Sequence, residues 1–507
     1  MKRVRHNNEQ NEQQQHHQHQ HQQISSLGRI KVAPIARYKR ACAAFRKPEQ
    51  ITRFAYNNKR QLILDNTAAT VTQNISVEEK STSIDNTANK EQPLDCTVSV
   101  KLFRAPDSLP CRKQVLLAVS TAVPRVKDLN LSSGYPDRYI AREDGVENLN
   151  SLITALNHSD KSILNPPLPK NSQPAITTMR PRVCTWRGIM TKILVAPYAA
   201  ADNSWQLLAT LHNGTLYIME DPQSKKEPDP FSQSYRGKLM TYWGYRFESL
   251  VTIDDPADVT SGKQTQPLPN EAVINTNVQF CSVVKTRIGA CDLLLGAEVD
   301  CTFNEPPTDP SFQLPQEQPT KYAELKTNRD LTIGNPHKRA NQSKTFHAAK
   351  LLKTYFQCFL AGIPKIIIGW RDDDGFLTGY SVLDTLRVPR IARDYFETVN
   401  SSNDQRASSQ FTKASANTEC WDPTVCINWA DDVLTMLWTT IEKRNKDILL
   451  QNDNDVDTNE IVYRVRMRGV AVPNTYDRDN NRGIVNEDGY IEILDPVIGG
   501  ENVFVGK

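Results

Sequence analysis

The chain has 507 residues, 38% of them apolar, and a formal net charge of only +3. That is enough to bury a large core in one elaborated domain or in two or three smaller ones. The balance excludes a wholly disordered or strongly polyionic protein, and no stretch approaches the roughly 18 uncharged apolar residues of a membrane span.

Met1-Lys2-Arg3-Val4-Arg5 leads into a polar tract without a secretory apolar core. The ten cysteines are scattered with no CxxC pair, which reads as reduced thiols in an intracellular protein. Five of the nine histidines lie in the first 21 residues, so a catalytic metal in the body would be held by oxygens, favouring Mg²⁺ or Mn²⁺.

In chain order, residues 1–28 form a Gln/His-rich tail expected to be disordered. Arg29 to Arg60 carries ten Lys or Arg against the single acid Glu49, with Phe45, Phe54 and Tyr56 interleaved. This suits an RNA-facing surface or a nuclear import signal, and equally a solvated helix face or a segment docked on acidic neighbours. Residues 66–92 read as an inserted loop, and Leu131 to Tyr135 as a turn before a helix near Asn148 to Leu156. Pro166, Pro167 and Pro169 end regular structure there. Val183–Trp186, Thr191–Val195, Trp205–His212 and Thr215–Glu220 read as a strand meander, with Asn213-Gly214 as a hairpin turn.

Cys291 to Cys301 and Tyr322 to Thr327 are apolar segments carrying charge where buried strands should not. Alternation puts Glu298 with Asp300, and Glu324 with Lys326, on common faces. Buried carboxylates need a cation, a hydrogen bond or a metal, and such a set suits phosphate chemistry. By spacing alone, structural salt bridges explain these pairs as readily. Cys301 reads as a small core residue, and no Gly-rich phosphate loop or GxSxG elbow is present.

Ser343 to Gly362 is predicted as a helix capped by Ser343 and closed by Gly362, with Phe346, Lys350, Lys353 and Gln357 on a stripe that can face an anionic ligand. A strand over Lys365 to Trp370, a turn at Asp373-Asp374-Gly375, a partner strand near Leu377 to Val382 and a helix from about Val425 to Arg444 follow. Polar inserts are expected near 252–270 and 399–418. The whole reads as one catalytic domain over 29–470 with a C-terminal extension over 471–507.

Trp186-Arg187-Gly188, Gly244 to Glu248, Gly296 to Cys301, Glu324 to Thr327 and Tyr355-Phe356-Gln357 resemble, in order and spacing, the motifs of the DXO/Rai family of RNA 5′-end decapping nucleases. Phe45 to Thr52 and Leu131 to Tyr135 resemble that family's N-terminal features. The resemblance implies an α+β fold of two mixed β-sheets flanked by helices around a metal-dependent nuclease-like core. It also implies hydrolysis at RNA 5′ ends: removal of unmethylated, incomplete or NAD caps, pyrophosphate release from triphosphate ends, and 5′-to-3′ exonuclease action in some members.

Carried over by position, the resemblance implies that Glu248, Glu298, Asp300, Glu324 and the Leu325 carbonyl hold the divalent ions. Lys326 and Gln357 would flank the attacking water and the phosphate, and Arg187 would neutralise a 5′-end phosphate; the helical stripe, apart from the resemblance, makes Lys353 a candidate substrate contact. Structural readings compete: Arg187 paired with an acid, Gln357 capping a buried polar group, Glu248 buried beside a cation. One branch of the family works as a nuclear partner that stabilises a 5′-to-3′ exoribonuclease, so a mainly binding role is the alternative function. A DNA-directed nuclease on the same core is a third.

Overall fold

The structure is a computed structural model. It describes residues 26–65 apart from 33, 100–112, 124–164 apart from 144 and 146, 181–199, 204–224, 230–253, 273–303, 321–404, 420–451, 461–468 and 489–498. Most of the expected tail, the insert at 66–92, nearly all of that at 252–270 and most of that at 399–418 lie outside the described residues, as do the prolines at 166, 167 and 169.

The Asn213-Gly214 turn is built as expected. Both residues take positive φ, 46° and 69°, as a tight hairpin requires, and they join the antiparallel strands Trp205–His212 and Thr215–Glu220. These strands belong to an 11-stranded mixed sheet. Near its middle Arg182–Trp186 runs parallel to both Thr215–Glu220 and Cys291–Glu298, while Cys291–Glu298 continues antiparallel to Gln279–Ile288 and that strand to Phe45–Tyr56. A second, 6-stranded sheet has Tyr322–Arg329 parallel to Lys365–Arg371 and antiparallel to the short Cys301–Thr302.

Alternation along the strands sorts side chains into three cores. Leu293, Leu295 and Ala297 of the large sheet and Ile366 and Ile368 of the small one share a central core with the helices Arg187–Val195, Leu351–Ala361 and Pro423–Gln451. Leu294 on the opposite face packs with Leu152 and Leu156 of the helix Asn150–Ser159. Leu325 and Ile367 face Trp243 and Phe247 of the helix Tyr235–Leu250. The order is therefore helix, sheet, helices, sheet, helix, and two mixed sheets with flanking helices is the architecture that appears.

Several expectations change. Thr191–Val195 is not a strand but part of the helix Arg187–Val195. Its apolar residues Ile189, Met190, Ile193 and Leu194 recur at helical spacing, which a five-residue window does not reveal. The helix expected from Ser343 begins at Pro336, where the Asn335 side chain accepts the Lys338 N–H at 2.9 Å. It continues through a π-turn at Phe346–Lys350 and ends, as expected, at Gly362 with φ 71°.

Both chain ends reach further into the fold than expected. Ser26–Lys31 is a strand, so order begins inside the assigned tail, and it pairs with Tyr490–Leu494, which lies in the assigned C-terminal extension. Ile491 and Ile493 are fully buried in the central core, which makes that segment part of the domain. The basic stretch after residue 29 is docked on acids: Arg40 pairs with Asp432, Arg53 with Asp65 and Arg60 with Glu147.

Candidate active site

The acids gather where the chain leaves one sheet for the other. Glu298 is the last residue of its strand, Val299 and Asp300 cross over, and Cys301 opens the short strand of the second sheet. Glu298 and Asp300 do line the same cavity, joined by Glu248 near the end of its helix, but strand alternation does not bring them there. Glu324 sits on the neighbouring strand, 2% exposed, facing the central core, whereas Leu325 faces away from it. Arg187, 8% exposed, enters from the first turn of its helix.

Hydrogen bonds fix the arrangement. The Leu325 N–H donates to Asp300 Oδ2 at 2.6 Å, tying the crossover to the second sheet. Lys326 Nζ donates to Glu324 Oε1 at 2.5 Å and to the Leu325 carbonyl at 3.1 Å, and lies 3.9 Å from Asp300. Arg187 donates to the Glu298 carbonyl at 3.2 Å and stands 3.6 Å from Glu324 Oε2. Glu298 Oε1 accepts from Gln279 Nε2 at 2.7 Å.

The electrostatics divide the carboxyls. Desolvation, then the neighbouring Asp300 and Glu298, raises Glu248 well above the usual carboxylate range. Desolvation also raises Glu298, and pushes Asp300 up to about 7 with Glu324 as the next cause. Glu324 is the exception: burial works against its charge, but Lys326 and Arg187 outweigh it and hold the carboxyl low. Lys326 and Arg187 are in turn raised by Glu324 against the cost of their own burial.

A second cavity, of about 290 Å³, adjoins the first through Glu298 and Gln279 and is lined by Arg187, Lys192 and Gln357. Lys353 is exposed; burial of its stem lowers it first, and then the nearby Lys192, Lys326 and Arg187 do. These cations form a positive margin opposite the acids. The residues expected from sequence therefore converge, with Lys353 at the edge. What sequence reasoning missed is Gln279 and the Arg60, Arg142 and Glu147 network behind it. Its only signal was that Gln279 begins the strand pairing with the Glu298 strand.

A profile of the RAI1 like PD-(D/E)XK nuclease family matches residues 46–488. The chain belongs to that family. Glu324-Leu325-Lys326 has the acid-x-lysine sequence that the family name spells, and Asp300 lies beside it, its Oδ2 accepting the Leu325 N–H. A decapping nuclease RAI1 of Emericella nidulans is 34% identical over 52% of this chain and 62% of its own, and the human decapping and exoribonuclease protein 31% identical over 62% and 66%. The chain thus spans just under two thirds of the length of these relatives. Among solved structures, Candida albicans Rai1 in complex with pU5-Mn²⁺ superposes with a TM-score of 0.54 at 21% identity over 94% of this chain and 92% of that one, showing the shared fold.

A divalent ion fits the residues present. Among the described residues no three ligands already converge tightly enough to cage an ion. Yet the buried Glu324 Oε2 has no hydrogen-bond partner, and the neighbouring Asp300 is pushed up to about 7 by desolvation and by Glu324. An all-oxygen set whose charge neighbouring cations only partly offset is the donor chemistry of a hard divalent ion. Lys326 and Arg187 carry part of that compensation in the arrangement described.

Proposed function

We propose that the protein is a divalent-metal-dependent hydrolase of RNA 5′ ends. It removes unmethylated, incomplete or NAD caps, releases pyrophosphate from triphosphate ends and degrades RNA from the 5′ end. The observation that carries this reading is the meeting of Glu248, Glu298, Asp300 and Glu324 with Lys326, Arg187 and Gln357 at one crossover between two sheets. Relatives named decapping nuclease and decapping and exoribonuclease protein support it, as do Rai1 structures with pU5-Mn²⁺ and with (3′-NADP)⁺ and calcium.

Glu248, Glu298, Asp300, Glu324 and the Leu325 carbonyl would hold Mg²⁺ or Mn²⁺, which supplies polarisation of the phosphoryl oxygens and a more acidic bound water. This chain's residues do the rest. Lys326, kept charged by Glu324 and Asp300, donates toward the attacking water and the equatorial phosphoryl oxygens. Arg187, buried and kept charged by Glu324, receives the phosphate of the 5′ end, with Lys353 and Lys192 extending the positive margin. Gln357, lining the same cavity, orients the phosphate, and Gln279 fixes the rotamer of Glu298.

Purified protein given a panel of RNAs differing only at the 5′ end, with Mg²⁺ or Mn²⁺, should yield the cap moiety or pyrophosphate and a 5′-monophosphate RNA, identified by mass spectrometry. Absence of any such product with both metals would overturn the reading. An exoribonuclease partner and nuclear residence belong to the same proposal on family resemblance; stoichiometric co-purification, and relocation on replacing the exposed Arg37, Lys39, Arg46 and Lys47, test them.

A further inference from the structure

Three of the four acids at the crossover have one carboxylate oxygen already committed. Asp300 Oδ2 accepts the Leu325 N–H and Glu324 Oε1 accepts from Lys326 Nζ, both donors lying on the strand that carries Glu324. Glu298 Oε1 is held differently, by the side chain of Gln279 at the start of the adjacent strand. A primary amide offers an acceptor at one end and donors at the other, so this contact holds Glu298 only while the amide is kept in one orientation.

Two arginines set that orientation. Arg60 Nη1 and Arg142 Nη1 both donate to Gln279 Oε1, the latter at 3.2 Å. A guanidinium only donates, which turns the amide oxygen to the arginines and the amide nitrogen to Glu298. Both arginines are anchored in turn on Glu147, whose Oε1 accepts from Arg60 Nη2 at 3.0 Å and whose Oε2 accepts from Arg142 Nη1 at 3.2 Å. Tyr56 Oη adds a third donor to Glu147 Oε1 at 3.2 Å, and the Tyr56 ring centroid lies 3.6 Å from the Arg60 guanidinium carbon. Arg60 also donates to the Asn277 carbonyl at 3.2 Å, and the Arg142 backbone N–H donates to Thr276 Oγ1 at 2.7 Å.

One carboxylate therefore balances two guanidinium groups that stand a single side chain away from an acid of the reaction centre. We propose that Glu147 is a positioning residue for the divalent-ion site. Through Arg60, Arg142 and Gln279 it holds Glu298 with Oε1 occupied and the second oxygen left for the ion. Glu147 also keeps the two arginines from pairing with Glu298 themselves, which would set a cation in competition with the metal. Partners of a metal ligand act in this way, fixing its orientation and tuning affinity without touching the ion. The inference rests on the metal-dependent reading above and deepens it.

Calorimetric titration of Mn²⁺ into the full-length protein tests this without RNA. Gln279→Leu removes the donor to Glu298. Glu147→Gln keeps the shape of the side chain but leaves one acceptor oxygen for two arginines. Each variant should raise the Mn²⁺ Kd on the order of tenfold, the scale of a lost partner of a metal ligand. The double variant should bind within about twofold of Gln279→Leu alone, because Glu147 acts through the amide and the two losses then do not add. A merely structural or long-range electrostatic role for Glu147 gives additive losses; additive losses, or an unchanged Kd in Glu147→Gln, would overturn the proposal. Metal-free crystal structures of the wild type and Glu147→Gln supply the second readout: a displaced Glu298 side chain in the variant supports the proposal, and an unmoved one overturns it. A wild type that binds Mn²⁺ yet releases nothing from any RNA 5′ end would sink the functional reading alone, whereas a wild type that binds no Mn²⁺ would sink both.

Discussion

Asp300→Asn should stabilise the metal-free protein at pH 8 while abolishing its activity. Asp300 is 11% exposed at its side chain and crowded by Glu324, and its carboxyl is pushed from the usual 3.8 up to about 7. Between those values the folded protein binds more protons than the unfolded chain, so stability falls as pH rises from about 4 to about 7. A displacement of that size corresponds to about 4 kcal/mol. Coupling to Glu324 spreads that displacement over the pair, so a gain of about 2 kcal/mol is expected for the variant. The asparagine can still accept the Leu325 N–H, so the crossover stays anchored. Urea denaturation in EDTA across pH 4 to 8 is the assay. The difference between variant and wild type should vanish near pH 4 and reach its maximum above pH 7, and a saturating divalent ion should reverse it by stabilising only the wild type. A variant less stable than wild type at pH 8, or a difference independent of pH, would refute the electrostatic account.

Glu324→Gln should have the opposite sign, because this buried carboxylate is the nearest counter-charge of both Lys326 and the buried Arg187; about 3 kcal/mol of metal-free stability should be lost in the same denaturation experiment. Gly369→Ala would place its Cβ 2.4 Å from the Phe247 ring, between the second sheet and the helix bearing Glu248, and should cost about 1–3 kcal/mol by urea midpoint. Asn428→Leu leaves the Tyr38 and Arg40 carbonyls and the Ala43 N–H without their side-chain partner, so roughly 3 kcal/mol should be lost, and limited proteolysis should cut faster between residues 35 and 44.

The local chemistry of the site was legible because a carboxylate inside an apolar run is costly and therefore conspicuous, as at Glu298 and Glu324. Which acids meet was not. Glu248 lies on a helix packed against the second sheet, and its approach to Asp300 depends on the order of that sheet, which no short-range pattern encodes. The proposed sharing of a face by Glu298 and Asp300 relied on a strand continuing through the crossover, whereas the chain changes sheets at Val299. Strong turn chemistry, at Asn213-Gly214 and Gly362, transferred directly to the structure. Elements whose apolar content fits either period, such as Ile189 to Val195, were assigned correctly only by their packing between two sheets. Likewise the strand Tyr490–Leu494 is short and follows a polar stretch, so its place in the large sheet rests on long-range pairing with Ser26–Lys31 and Ile461–Arg468.

The central claim is that the acids at the crossover direct water onto an RNA 5′-end phosphate. Wild type and the double variant Glu298→Ala, Asp300→Ala should be given unmethylated-capped RNA with Mn²⁺ in ¹⁸O-labelled water. The account predicts a decapped RNA or cap moiety carrying one ¹⁸O on the phosphate at the cleavage point from the wild type, and no product from the double variant. Labelled product at the wild-type rate from the double variant would contradict it.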